Sequence, residues 1–179
     1  MSVRTPDRNP GWLSDDDLVD ARRRLPMLYV EAVPVRLDGQ GRVTDVGLLL
    51  RVGASGGIAR TIVSGRVMYG ETLRDALDRH LEKDLGPMAF PQLPPCPTPF
   101  HVAQYMPIPG DGNYHDDRQH AVSLVFIVPV TGTCEPRQDA LELTWLTPDQ
   151  AASELVTSEM EGGRGALVRT ALAHLGALR

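Results

Sequence analysis

Apolar positions recur along this chain with two periods. Three runs read as strands: LYVEAVPVR from Leu28 to Arg36, VTDVGLLLRV from Val43 to Val52, and RTIVSGRV from Arg60 to Val67. Each is rich in β-branched residues and short enough for a strand. Leu37 to Arg42, with Asp38-Gly39 and Gly41, predicts a hairpin turn, and Gly53 to Gly57 a flexible tip. The period then changes. From Thr72 to Leu85, the residues Leu73, Ala76, Leu77, Leu81 and Leu85 share one arc at a helical repeat, with Thr72 as N-cap and Gly86-Pro87 as the stop. After a connection with five prolines among residues 90–100, strands are expected at Phe100–Ile108, His120–Val130 and Glu142–Leu146. Helices are expected at Pro148–Leu155 and at Ala166–Leu178, the last with a stripe of Leu167, Ala171, His174 and Leu178. An earlier helix follows the Ser14 cap, with Asp15, Asp16 and Asp17 at its start and Arg22, Arg23 and Arg24 near its end, charges that suit its dipole and can pair along it. Residues 1–13 read as a loose arm. With no internal repeat, the division expected is an arm and helix over 1–27 and one α/β domain over 28–179.

The Thr72–Leu85 helix carries polar residues where a purely structural helix would not. His80 and Asp84 fall inside its apolar arc, Arg79 and Lys83 at its edge, and Glu82 on the far side. Groups of that kind near a core face cost desolvation energy unless they pair or bind something.

Gly65, five residues, Glu71, seven residues, Arg79, then Leu81 and Gly86 is a spacing that resembles the Nudix box, G-x5-E-x7-R-E-U-x-E-E-x-G with U aliphatic. His80, Lys83 and Asp84 stand where that pattern has glutamates. The segment LELTWLTPDQAASEL is similar to the one that follows the last long strand in many Nudix chains. The resemblance covers roughly residues 28–178 and implies a Nudix-type α/β/α sandwich with a mixed β-sheet. It also implies a divalent ion, Mg or Mn, and water attack on a nucleoside diphosphate linked to another moiety.

The substitutions bear on that chemistry. Asp84 keeps one inward carboxylate, and His80 offers a nitrogen better suited to softer ions than magnesium. Lys83 departs furthest, because an ammonium about 5 Å from a divalent ion is disfavoured by roughly 6 kcal/mol at an effective dielectric of about 20. Two readings follow. In the leading one, Glu71, His80 and Asp84 hold a weakened metal site, with His80 also a candidate base, and Arg79 and Lys83 bind phosphate. In the alternative, a ligand-binding or regulatory module keeps the cleft without catalysis. Beside both stands the structural reading: an Arg79–Glu71 clamp, a hydrogen-bonded His80, and an Asp84 paired with Lys83 or His80.

The loop GDGNYHDDRQ, Gly110 to Gln119, adds His115, Asp116 and Asp117 as lower-ranked candidates for a base or further ligand, a solvated turn being the expected alternative. Gly162 to Gly165 with Arg164 allows an anion-binding turn, although a connecting loop is the commoner role. Trp145 reads as a core or cleft-wall residue.

Composition narrows the function. A net charge of −5 with no long basic run argues against nucleic-acid and membrane-surface binding; the expected partner, a nucleotide-like small molecule, is what the Nudix resemblance implies. Cys96 and Cys134 lack metal or redox spacing and suit a reducing cytoplasm. The longest apolar stretch, Ala121 to Val130, is too short to span a bilayer. The Nudix resemblance further implies a homodimer.

Overall fold

The computed structural model describes residues 12–53, 56–110, 114–136 and 140–178. Its elements in order are α1 (Asp15–Arg24), β1 (Met27–Leu37), β2 (Val43–Val52), β3 (Ile58–Thr61), β4 (Val63–Arg66) and α2 (Leu73–Leu85). Then come β5 (His101–Met106), β6 (Tyr114–His115), β7 (Ala121–Pro129), β8 (Ala140–Leu146), α3 (Pro148–Ala152), α4 (Glu154–Ser158), a 3-10 turn (Glu161–Gly163) and α5 (Arg164–His174). The sheet runs β3-β2-β1-β7-β5-β6, with β4 paired to β1 and β8 to β2.

Strand β1 lies at the centre, parallel to β7 from Met27 opposite Ala121 to Val35 opposite Pro129. Helices cover both faces, so its apolar run is nearly continuous, as buried parallel strands require. Val30 and Ala32 pack with Ala76, Leu77, Leu81 and Leu85 of α2. Met27, Val33 and Val35 pack with Leu167, Val168, Ala171 and Leu172 of α5. The alternation is the strand period of two, and the result is the α/β/α sandwich with a mixed sheet expected from the sequence.

The other edge of β1 forks. Its first half pairs with β4 as far as Ala32, and its last residues pair with β2 from Val35 onward. Pro34, which has no N–H to give a ladder, falls in the gap between them. The same fork corrects the single strand expected over Arg60–Val67. That segment is two strands, β3 on β2 and β4 on β1, with Ile62 fully buried at the crossing.

Two further expectations are revised. The Pro148–Leu155 helix is two short helices. Ser153 adopts an extended conformation between them, its hydroxyl donating to Gln150 O at 2.7 Å and accepting from Val156 N at 3.4 Å. Helix α5 begins at Arg164, and its buried stripe is Leu167, Val168, Ala171 and Leu172, while His174 and Leu178 are exposed.

Caps hold where the sequence placed them. Ser14 accepts from Asp17 N at 3.2 Å and Thr72 from Asp75 N at 3.1 Å. Helix α1 buries none of its residues, yet Leu18 and Ala21 pack against the core and Arg22 Nε donates to Gln119 Oε1 at 3.0 Å. Its internal ion pair is Asp20 with Arg24. Of the expected loose arm, residues 1–11 lie outside the described residues, as do 54–55 of the Gly53–Gly57 tip and 111–113 of the polar loop. Among the described residues no helix is long and apolar enough to cross a membrane. Both cysteines are free thiols.

Candidate functional site

Helix α2 and the loop before it are held by a charged clamp. Glu71 takes Arg79 Nε on Oε1 at 2.7 Å and Arg79 Nη2 on Oε2 at 2.8 Å, and its Oε2 also accepts from Met68 N at 2.9 Å. The fork geometry of the guanidinium makes this a bidentate pair. It holds the Glu71 carboxyl below the usual glutamate range, through Arg79 first and despite partial burial. Arg79 Nη2 also donates to Arg66 O at 3.0 Å. The clamp closes the loop that joins β4 to α2, as the structural reading of this pair anticipates.

His80 is buried at 6% exposure. Its Nε2 meets Arg66 O at 3.1 Å, and since a carbonyl only accepts, the proton sits on Nε2. The Nδ1 atom is buried with no hydrogen-bond partner. Burial depresses the imidazole's proton affinity, with the neighbouring Arg79 and Lys83 charges adding to it. The ring lies against Gly65, where an added Cβ would overlap it. This is the physical reason for glycine there.

Asp84 is fully buried. Its Oδ1 lies 2.5 Å from Arg51 Nη2 and 2.9 Å from Lys83 Nζ. Neither contact is aligned as a hydrogen bond, because both Asp84 oxygens and Arg51 Nε and Nη2 lack a hydrogen-bond partner. Arg51 projects from β2 with the same parity as Leu49, which packs on the α2 side.

A cleft on the α5 side of the sheet also reaches Arg51. It encloses about 720 Å³ and is lined by Glu31, Arg51, Arg60, Ser64, Arg118, Ser123 and Arg164, among others. Glu31, 1% exposed, accepts from Arg164 Nε at 2.7 Å and from the Tyr105 hydroxyl at 2.8 Å. The Arg164 guanidinium also stacks on the Tyr105 ring at 4.8 Å. Burial works against the Arg164 charge, but the Glu31 carboxylate outweighs it and holds the guanidinium protonated more firmly than usual. Burial, then the Glu31 charge, pushes the Tyr105 phenol far up. Arg60 is tied to Glu159 at 2.6 Å through Nε while its Nη1 is buried without a partner. Ser123, fully buried, has an unpartnered hydroxyl.

The polar loop reaches the same cleft. Asp116 receives Arg118 Nε and Nη2 at 2.8 Å each and Gln119 Nε2 at 2.9 Å. Burial acts against its charge, yet the Arg118 bonds leave the carboxyl below its usual range. His115 Nδ1 donates to Met106 O at 3.0 Å from the two-residue β6, too short for periodicity to reveal. His115, Asp116 and Asp117 all line the cleft. Gly162 and Gly163, at φ 67° and 84°, bring the start of α5 against Tyr114 and His115 where a side chain would clash, and Arg164 is taken by Glu31. Trp145 lies elsewhere, under the Arg36 guanidinium at 4.4 Å and beside Met88 and Phe90 in a second cavity.

Glu71, Arg79, His80, Lys83 and Asp84 are thus gathered on one helix and its loop, but none is among the residues lining the main cleft. A divalent ion fits this set poorly. Both Glu71 oxygens are engaged by Arg79, His80 donates to a carbonyl, and Asp84 faces two cations. Among the described residues no three His, Cys, Asp or Glu side chains are grouped to hold a metal. The cleft residues that sequence reasoning missed are Glu31, Arg51, Arg60, Tyr105 and Ser123. Arg51 had one usable signal, a cation closing an apolar strand in a fold whose helix turns an aspartate inward.

A family model described as "Domain of unknown function (DUF4916)" matches residues 8–177. A crystal structure from Jonesia denitrificans, described as a possible asymmetric diadenosine tetraphosphate (Ap4A) hydrolase, is 57% identical. The match covers 87% of this chain and 98% of that one, with a TM-score of 0.84. The NUDIX domain of Shewanella oneidensis NrtR, complexed with ADP ribose, is 15% identical over 85% of this chain and 90% of that one, with a TM-score of 0.63. A C. elegans Ap4A hydrolase binary complex is 13% identical over 85% and 99%, with a TM-score of 0.60. The last two likenesses show the fold alone. No curated protein matches the sequence.

Proposed function

The chain belongs to the DUF4916 family and to the Nudix superfamily, and from that premise we propose that its cleft binds a nucleoside diphosphate linked to another moiety. The observation that carries this reading is the set of guanidiniums on one cleft: Arg51, Arg60, Arg118 and Arg164. Arg118 and Arg164 are neutralised by Asp116 and Glu31, which makes them walls. Arg51 and Arg60 are ion-paired as well, with Asp84 and Glu159, but Arg51 Nε and Arg60 Nη1 are buried without hydrogen-bond partners, which suits anionic oxygens. The ligands named for the neighbours, ADP ribose and Ap4A, are of this class. In this reading the protein is a ligand-binding or regulatory module, and Arg79 serves the Glu71 clamp, not the phosphates.

A second reading, Nudix-type hydrolysis with water as nucleophile, is favoured by the description of the 57% identical relative. It assigns Glu71, His80 and Asp84 to a magnesium or manganese ion and Arg79 and Lys83 to phosphate. For that, Arg51 and Lys83 must leave Asp84, and Arg79 must release Glu71.

Calorimetric titration with ADP-ribose and Ap4A in chelator, then in magnesium and in manganese, tests the binding reading, and product analysis of the same samples tests the second. Binding in chelator without turnover supports the module. Binding that appears only with metal, accompanied by cleavage, supports the hydrolase. No binding of either ligand refutes the cleft assignment.

A further inference from the structure

We propose that Arg51 stands in for a divalent metal as the phosphate-binding cation of this protein, positioned by Asp84 and backed by Lys83, so that a pyrophosphate group is bound without any metal. This rests on the reading that the cleft takes a nucleoside diphosphate-linked ligand, and it names the group that meets the phosphates.

The charges decide it first. Asp84 carries one negative charge and touches two positive ones, Arg51 at 2.5 Å and Lys83 at 2.9 Å, so the cluster is net positive by one. A cluster built only to neutralise a buried carboxylate needs one cation, as Glu31 has in Arg164. Within this contact group the surplus charge disfavours a further cation at Asp84, while the cleft beyond it balances Arg51, Arg60, Arg118 and Arg164 against Glu31, Asp116, Asp117 and Glu161.

The hydrogen bonds decide it next. Arg51 Nη2 is held against Asp84 Oδ1, while Arg51 Nε is buried without an acceptor, as is Arg60 Nη1 on the adjoining strand. Leu50 pairs with Arg60 and Arg51 with Ala59, so the two arginines leave adjoining strands on opposite faces, and both reach the lining of the cleft. Ser123, fully buried on the cleft floor, also has an unpartnered hydroxyl. Buried donors left unmet are costly, and an anionic oxygen reaching Arg51 from the cleft satisfies its Nε. Arg51 joins the two regions: it lines the cleft and contacts α2. Asp84 is a positioning residue here, because it acts on the ligand only through Arg51.

The test is calorimetric titration of the purified protein with inorganic pyrophosphate and, separately, ADP-ribose, first in chelator and then in manganese. In chelator, pyrophosphate is expected to bind, Arg51→Ala to weaken it at least tenfold, and Arg51→Lys to restore part of the loss. Manganese is expected to change the affinity less than twofold. Electron paramagnetic resonance of added manganese gives a second readout. The native chain is expected to leave the free-ion signal unaltered, and the Arg51→Gln, Lys83→Glu double variant to bind the ion. If Arg51→Ala fails to fold, Arg51→Gln, which keeps the side-chain length and a donor toward Asp84 and leaves Lys83 in place, carries the titration in chelator with the same tenfold loss expected. ADP-ribose binding that survives Arg51→Ala unchanged, or that requires manganese in the native chain, overturns the Arg51 assignment while the cleft reading stands. Absence of binding by either probe under every condition overturns both.

Discussion

Two buried carboxylates, Glu31 and Asp84, face the same kind of partner and are finished differently. Glu31 has each oxygen in an aligned hydrogen bond, one from Arg164 and one from Tyr105, and the arginine is further stacked on the tyrosine ring. Asp84 has two cations in contact and no aligned hydrogen bond to either. The first is a closed network that fastens the start of α5 to the centre of the sheet. The second has buried donors and acceptors left over, which native proteins tolerate chiefly at functional sites. A buried charge pair therefore says little about role until its hydrogen bonds are traced.

Glu31→Ala leaves Arg164, only 18% exposed, without its counter-charge, and is expected to cost about 3–5 kcal/mol of stability in urea unfolding. Glu31→Gln, which keeps the shape and one acceptor, should cost clearly less. A loss below about 1 kcal/mol for the alanine variant would show that the network does not fasten α5.

Asp84→Asn sharpens the contrast. It leaves Arg51 and Lys83 facing each other without the charge between them, and a loss of roughly 2–3 kcal/mol is expected. Because its hydrogen bonds are unaligned to begin with, Asp84 should cost less to neutralise than Glu31 costs to remove. A larger loss would mean that the cluster is the finished network and Glu31 the accessory one.

The sequence exposed one of these regions and hid the other. Helix α2 was legible because its apolar arc, its threonine cap and its glycine stop lie within fifteen residues, so His80 and Asp84 stood out on the inward face. Glu31 and Arg164 are 133 residues apart, and their pairing depends on β1 lying centrally and α5 crossing its face. Arg51 sat inside a correctly placed strand, but its partner is set by the fork in the sheet, which no local pattern encodes. The same fork divided one expected strand into β3 and β4. His115 and Asp116 were legible as polar loop residues, whereas their place in the cleft follows from β6 pairing with β5.

Gly65→Ala probes the sealed side of α2. The new methyl group would overlap the His80 imidazole, and a loss of about 1–2 kcal/mol is expected, at the lower end for overpacking because the ring can tilt. Adding His80→Ala should recover part of it, and the double-mutant cycle measures how much. Strict additivity would show that the glycine is needed for its backbone and not for the ring.

The smallest effect is the pH dependence of His80, and its sign is fixed by burial. The folded state lowers the imidazole's proton affinity from the ordinary value of 6.5, through burial first and through Arg79 and Lys83 next, while the bond to Arg66 O and the Asp84 charge oppose the shift. Below pH 6.5 the unfolded chain therefore binds a proton that the folded chain resists, so stability is full above that pH and declines as pH falls toward the folded value. A single site contributes at most about 1.4 kcal/mol per pH unit. Glu71 acts in the same direction but lower, since its depressed carboxyl forfeits stability only as pH falls below the ordinary 4.5. Urea unfolding from pH 7 to pH 5 should thus show a decline that is shallower in His80→Gln, a variant that keeps a donor for Arg66 O. An identical decline in that variant would assign the proton to another group, and a rise in stability on acidification would mean that Asp84 rather than burial controls the ring.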